Sequence, residues 1–395
     1  MNSKIFPLDA YKNFDSAYWG LGTCSDGNIY FGLCSHIPGK SAGFFRFDPK
    51  TDKTECLFNI DEILGTAHGK IHTPILEAYD QKLYFGTHFA YPYGNPSNQV
   101  DYEGGHVMAY DPATDQVDDL GIVSEGEGIL TIALNKESGK IYSLTVPGGV
   151  LAETDISSRK SRRLGVIPSK GSICRTITVD RAGKVYGSFE PNGLFIYDPS
   201  TDKLQFEENF FPEEQIEEWD DATRGGVNKI GRNLWRCVNY DEQRNSLYGI
   251  YAASSRLFKI DCETLELEIY DQLTPAGFAS AEAVYPTLTM VSDSKKIIYA
   301  PADGMFDYCR SDNLKRFTEI MVFDKESGEK TSFGEIDDDG LRIFGAAGAV
   351  LSDECLYLLG ASEAKVLQQR SVDDETKLFQ IKGDPMSLSL IRIKM

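Results

Sequence analysis

Residues 27–33 read GNIYFGL, and a phrase of the same shape returns six times along the chain. The copies are QKLYFGT (81–87), GKIYSLT (139–145), GKVYGSF (183–189), NSLYGIY (245–251), KKIIYAP (295–301) and ECLYLLG (354–360). Each is a short apolar run rich in β-branched and aromatic residues, entered through polar or glycine residues, which is the composition of a strand leaving a hairpin turn. Tyrosines 30, 84, 142, 186, 248, 299 and 357 mark the copies at intervals of 44 to 62 residues.

A second phrase follows the first. FFRFDPKTDK (44–53), VMAYDPATDQ (107–116), LAETDISSRK (151–160), LFIYDPSTDK (194–203), LFKIDCETLE (257–266) and IMVFDKESGE (320–329) each run a strand into an Asp-headed turn. There the Asp side chain can accept backbone N–H groups. A further strand precedes most of the tyrosine runs, as in TIALNKESGKIY (131–142) and TITVDRAGKVY (176–186). Four short antiparallel strands per unit at this spacing predict propeller blades.

The seventh copy ends at SLIRIKM (389–395) with no following turn, while the chain opens on a spare strand-like segment, SKIFPL (3–8). The N-terminus is therefore expected to supply the outer strand of the last blade, which removes an exposed sheet edge. The reading is all-β: a seven-bladed β-propeller closed by the N-terminal strand, with residues 1–395 as one domain. The acidic stretch EENFFPEEQIEEWDDA (207–222) is the one segment with a helical look.

Sixty acidic against 40 basic residues leave a formal charge of −20, which disfavours nucleic acid and anionic membrane surfaces as partners. No apolar run reaches the about 18 residues of a membrane span. MNSKIFPLDAYKNFD (1–15) lacks the basic and apolar regions of a signal peptide, so a cytoplasmic location is expected. The eight cysteines are scattered without a CxxC pair and read as small buried hydrophobes.

All five histidines precede residue 107. GTHFAYPYGNPSNQVDYEGGH (86–106) holds two of them with glycines beside both. When strands A to D of a blade alternate in direction, the D–A and B–C connections share one edge and the A–B and C–D turns the other. His88 then ends strand B of blade 2 and His106 begins strand C, as neighbours at one hairpin mouth. By the same logic His72, Arg175, Asn233, Trp235, Arg236, Tyr308, Arg310 and Arg342 fall on that edge. Histidines facing arginines there suit chemistry on a carboxylate. His36 and His68 read as solvent-facing loop residues. His72 reads equally as a buried structural histidine. A structural metal ion near the propeller axis, held by His72, Cys174 and Cys237, is an open alternative without a local ligand spacing behind it.

GKIHTPILEAYDQKLYFGTH (69–88), GGHVMAYDPATDQVDDLG (104–121), EGILTIALNKESGKIYSLT (127–145), CRTITVD (174–180) and NLWRCVNYDEQRNSLYGIY (233–251) resemble the seven-bladed propeller polysaccharide lyases, namely ulvan lyases and related rhamnose-glucuronate lyases. That resemblance implies β-elimination at a glucuronate linked through O4, with a histidine pair, a tyrosine and an arginine, an acidic oligosaccharide as ligand and no required cofactor. It assigns His88 and His106 to base, acid and substrate-holding roles, and either Arg175 or Arg236 could offset the charge of the carboxylate. His72, Asn233, Trp235, Arg236, Tyr91 and Tyr251 are the expected substrate contacts. Where the resemblance would put a tyrosine, at the head of strand C in blade 3, the chain has Val150 and Leu151. Tyr91, Tyr93, Tyr102 and Tyr251 are the candidates to replace it. The alternatives are a glycoside hydrolase on a similar ligand and a non-catalytic carbohydrate-binding propeller. Oligogalacturonate lyases, which hold a metal with histidines late in the chain, are set aside because no histidine follows His106.

Overall fold

The computed structural model describes residues 2–37, 39–90, 102–168, 174–212, 234–251, 256–272, 287–301, 318–352, 354–363 and 386–395. Strand β1 (Asn2–Pro7) opens the chain, and blade 1 follows as β2 (Leu21–Thr23), β3 (Ile29–Leu33), β4 (Gly43–Asp48) and β5 (Lys53–Asn59). A short helix α1 (Ile60–Leu64) leads into blade 2, whose inner strand is broken into β6 (Lys70–Ile71) and β7 (Leu76–Glu77) before β8 (Leu83–His88), β9 (Gly104–Asp111) and β10 (Gln116–Glu125). Blade 3 is β11 (Gly128–Asn135), β12 (Lys140–Val146), β13 (Val150–Asp155) and β14 (Lys160–Val166). Blade 4 is β15 (Thr178–Val179), β16 (Val185–Phe189), β17 (Gly193–Asp198) and β18 (Lys203–Glu207).

Blade 5 comprises β19 (Trp235–Asp241), β20 (Ser246–Tyr251), β21 (Arg256–Asp261) and β22 (Leu267–Gln272). Blade 6 comprises β23 (Thr287–Ser292), β24 (Lys296–Pro301), β25 (Glu319–Asp324) and β26 (Lys330–Glu335). The last sheet runs β1, β30 (Met386–Lys394), β29 (Cys355–Glu363), β28 (Leu341–Ser352), β27 (Asp337–Asp338). These seven sheets make the protein a seven-bladed β-propeller. The N-terminal strand closes the last blade as expected, pairing antiparallel with β30 from Asn2↔Lys394 to Pro7↔Ser389. Two compact units divide the chain. One is Asn2–Val166 with Ala347–Lys377 and Met386–Met395; the other is Ile167–Ala346 with Leu378–Pro385 and the first residue.

The repeated tyrosines are buried, each on the second strand of its blade. Tyr30, Tyr84 and Tyr186 donate their hydroxyls to Asp26 (2.7 Å), Asp80 (2.8 Å) and Asp180 (2.9 Å) in the preceding turn. The same carboxylates accept the backbone N–H of Asn28, Lys82 and Lys184. One Asp therefore shapes the hairpin and satisfies the buried phenol. The second repeat behaves as expected: Asp48, Asp111, Asp155, Asp198, Asp261 and Asp324 each accept a backbone N–H from their own turn. Hydrogen bonds hold Asp48, Asp155, Asp198, Asp261 and Asp324 below the usual carboxylate range. In the unit of blades 4 to 6, Lys325 on β25's turn reaches Asp241 of blade 5 at 2.7 Å, a buried ion pair between neighbouring blades.

Helix α1 was not legible as hydrophobic periodicity, yet its punctuation is in the sequence. Glu62 accepts from the Asn59 backbone N–H (3.3 Å) and side-chain amide (2.8 Å), and Gly65 closes the helix at φ 72°. The acidic stretch expected to look helical begins instead with the end of β18, and its residues 213–222 lie outside the described residues.

Replacing Tyr186 by Phe removes the hydroxyl donor of the buried Asp180 carboxylate. Urea unfolding of Tyr186→Phe is expected to show a loss of about 1–3 kcal/mol. An unchanged midpoint would mean that the tyrosine repeat stabilises through packing alone.

Candidate functional site

The inner strand of blade 2 breaks at His72-Thr73-Pro74, and the break is what displays His72. Pro74 has no N–H to give to the ladder, so the strand cannot continue. Thr73 fills the gap with its side chain, accepting the Gly86 N–H at 2.8 Å. His72 turns toward blade 3 and donates Nδ1–H to the Leu130 carbonyl at 2.8 Å. A carbonyl only accepts, so Nδ1 carries the proton and the lone pair of the neutral ring sits on Nε2. His88, at the end of β8, likewise donates Nδ1–H to the Phe89 carbonyl at 2.5 Å. The His72 and His88 ring centroids are 5.6 Å apart.

The glycines beside the histidines are close-approach residues. A Cβ on Gly128 would lie 2.9 Å from His88 Cγ, so the imidazole rests on bare backbone of blade 3. Gly104 adopts φ +143°, and a Cβ on Gly105 would meet the Thr87 carbonyl oxygen at 2.5 Å and Ile129 N at 2.7 Å. The Gly-Gly-His run thus lets β9 pass tightly between β8 and β11.

All five histidines join one set of ring contacts. Tyr18 links His36 (6.3 Å) to His72 (4.8 Å), and Trp19 also packs on His72 (4.9 Å). From His88 the set runs through Phe89 (4.2 Å) and Tyr102 (5.4 Å from Phe89) to His68 (5.1 Å) and then His106 (5.3 Å from His68). Every one of these residues lies on the unit containing blades 1 to 3, at the edge bearing the D–A and B–C connections.

Within that set the pairing differs from the expected His88–His106 couple. His88 shares strand parity with Tyr84, which packs with Ile129 and Ile141 of blade 3. His106 shares parity with Met108 and Tyr110, which pack with Tyr30 and Phe44 of blade 1. The two imidazoles leave opposite faces of the sheet, so His88 meets His72 and His106 meets His68.

His106 donates Nδ1–H to Asp119 at 2.9 Å, and its backbone N–H goes to Thr87 Oγ1 at 2.9 Å. Asp119, partly exposed just ahead of a register shift in β10, also accepts the Gly121 N–H at 2.8 Å. Burial alone would raise the Asp119 carboxyl, but the bonds from His106 and Gly121 hold it below the usual carboxylate range. No sequence pattern singled out Asp119, one of several acidic residues along β10.

His36 and His68 are buried rather than solvent-facing, because the segment around Gly69 is clasped between blades: Ser35 N–H bonds the Gly69 carbonyl, and Ala42 N–H the His68 carbonyl. Burial lowers His36, against the raising hydrogen bond to Asp15, with Lys70 lowering it further. Burial, aided by His106, pushes His68 down to about 4. Tyr18 and Lys70, which sequence reading missed, occupy the half-buried part of the set. Lys70 Nζ stands 4.6 Å from the Tyr18 ring centroid, and the Tyr18 hydroxyl lies 3.4 Å from His36 Nε2.

The remaining candidates fall in the other unit or outside the described residues. Arg175 is half-buried ahead of β15, and Arg236 is buried at a register shift of β19. Trp235 is buried against Phe211 and Phe258 and donates Nε1–H to the Thr176 carbonyl at 2.7 Å. Tyr251 is buried beside the same two phenylalanines. Arg342 is half-buried and pairs with Asp337 across a hairpin. Asn233, Tyr91, Tyr93, Tyr308 and Arg310 lie outside the described residues. Val150 and Leu151 are buried at the head of β13.

Cys24, Cys34, Cys174, Cys237 and Cys262 are buried, and burial pushes Cys174 and Cys237 up to about 12. Among the described residues no group of three His, Cys, Asp or Glu is arranged to hold a metal ion.

No protein-family model matches the sequence, and no curated protein matches it. Solved structures do. The extracellular domain of BT4673 from B. thetaiotaomicron is similar over 91% of this chain at a TM-score of 0.54 and 15% identity. That of BT3049 from the same organism is similar over 90% at 0.55 and 12%. This chain covers 41% and 40% of those two chains. U3-55K is similar over 100% of this chain and 98% of its own, at 0.62 and 6%. At these identities the likeness is one of fold: the propeller.

Two outcomes follow from the packing. Gly128→Ala forces the His88 ring to move and is expected to cost about 1–3 kcal/mol in urea unfolding, with a shifted His88 imidazole NMR signal. An unshifted His88 signal would show that the ring does not rest on Gly128. Unfolded His68 titrates near 6.5 and the folded residue near 4, so between these values the unfolded chain binds the extra proton. Its contribution is complete above pH 6.5 and is lost as pH falls toward 4, about 3 kcal/mol in all. His68→Gln should be correspondingly less destabilised by acid than the unmutated protein, and equal acid sensitivity would contradict the assignment.

Proposed function

We propose that the protein is a carbon–oxygen lyase cleaving the bond to O4 of a glucuronate by β-elimination, on rhamnose-glucuronate-type oligosaccharides. The observation that carries the reading is the His72–His88 pair, each ring fixed as the Nδ1–H form, with the Tyr18 ring beside His72. A neutral imidazole in that form accepts a proton at Nε2 near neutral pH. In the proposed step the imidazole pair takes the C5 proton, and the C5–H electron pair becomes the C4=C5 double bond. The C4–O4 bond breaks, and Tyr18 gives its proton to the departing oxygen. Proton transfer from imidazolium back to the phenolate resets the site, so no cofactor is consumed. His106, set by Asp119 on the other face of the sheet, takes the substrate-holding role. Because removal of a proton beside a carboxylate is difficult while that carboxylate keeps its charge, a cation is required.

One observation favours a second reading, a non-catalytic carbohydrate-binding propeller: His72 and His88 are both buried, leaving Tyr18 and Lys70 as the more accessible members. Incubation with rhamnose-glucuronate oligosaccharides separates the two. Ultraviolet absorbance of the conjugated double bond is expected to rise, and His88→Ala should slow the rise by about 100-fold or more. Reducing sugar released without absorbance would mean hydrolysis, and sugar binding without either signal would establish the binding propeller.

A further inference from the structure

Glu127 is tied by its backbone to both histidines of the hairpin mouth. Its carbonyl accepts the Gly105 N–H at 2.6 Å, one residue ahead of His106, and it directly precedes Gly128, on whose backbone the His88 ring rests. The side chain crosses to the turn between β12 and β13, where Thr145 donates its hydroxyl to Oε2. Thr145 Oγ1 in turn accepts the Val150 N–H at 3.1 Å. A Cβ on Gly148 would lie 2.9 Å from Glu127 Cδ, so this turn leaves bare backbone against the carboxylate. Backbone, hydroxyl and glycine together hold the group in one place. Glu127 is half-buried, and among the described residues its Oε1 makes no hydrogen bond and no cation pairs with it.

We infer that Glu127 is a sugar-binding residue of this edge, taking adjacent hydroxyls of the neutral sugar that neighbours the acidic one. A carboxylate offers acceptors and no donor, and a neutral sugar supplies O–H donors in adjacent pairs. O–H···O⁻ bonds of this kind are among the stronger hydrogen bonds, and a group already fixed in place loses little freedom in making them. The inference rests on the oligosaccharide reading of the site, which the lyase and the binding propeller share. It adds the residue that reads the neutral sugar, on the blade 3 side of His88.

Calorimetric titration of the full chain with methyl α-rhamnoside and its 2,3-di-O-methyl ether tests this without turnover, because neither probe has a carboxylate to support elimination. The free diol is expected to bind at least about tenfold more tightly than the blocked one. Glu127→Ala should abolish that preference, whereas a residue that only pins the β12–β13 turn would lower stability and leave the preference intact. Equal affinities, no binding of either probe, or an undiminished preference in a folded Glu127→Ala variant would overturn the inference. Should Glu127→Ala fail to fold, Glu127→Gln decides, since it keeps an acceptor for Thr145. Its rhamnoside affinity is expected to fall about threefold or more, and an unchanged affinity contradicts the inference. Glu127-dependent binding without elimination would leave this inference standing and sink the lyase reading. Elimination accompanied by a preference that Glu127→Ala leaves untouched would do the reverse.

Discussion

A phenol buried in a sheet core must find an acceptor, and here the acceptor is an aspartate in the turn just behind it. Tyr30 with Asp26, Tyr84 with Asp80 and Tyr186 with Asp180 repeat one solution in three blades. The same carboxylate organises the turn's backbone, so the interaction couples core burial to hairpin geometry in a single residue pair. Related bonds secure the outer hairpins, where Tyr197 reaches Asp202 at 2.7 Å and Tyr110 reaches Asp115. All these anchors lie at the A–B and C–D turns. The opposite edge, carrying the D–A and B–C connections, is relieved of that task, and the histidines occupy it.

The division of labour explains how much imidazole the cluster can hold. Burying several ionisable rings together is tolerable only if they stay neutral, since charging one beside another is opposed by both desolvation and repulsion. His68 illustrates the result, with burial and His106 both pushing it down to about 4. Backbone carbonyls fix the tautomers of His72 and His88 without introducing charge, whereas Asp119 serves His106 where the set is less enclosed.

The blade count was readable because each copy repeats the same tyrosine and the same Asp-headed turn, and because these local signals are what the turns physically need. The closing strand was readable from an unfinished seventh copy at one end and a spare strand at the other. The pairing of histidines was harder. His88 and His106 are separated by 17 residues, so sequence distance hides the register, and a shift of one residue sends a side chain to the other face. The burial of His36 and His68 depends on how the Gly69 segment wedges between blades, a contact without sequence periodicity. Tyr18 carried no motif; only the packing of the segment before β2 against blade 2 brings it to Lys70 and His72.

A site whose histidine pair and tyrosine come from blades 1 and 2 has a consequence for how such a fold changes function. Its members come from the ends of strands and the segments just beyond them: Tyr18 before β2, Lys70 on β6, His72 at the strand break, His88 at the end of β8. The carboxylates that anchor Tyr30, Tyr84 and Tyr186 sit in the turns at the opposite edge. The glycines are different. Gly86, Gly105 and Gly128 serve both purposes, because the backbone approaches that seat the imidazoles are also where β8, β9 and β11 touch. Chemistry at this edge is therefore free to vary in its side chains while being held to those three positions in its backbone.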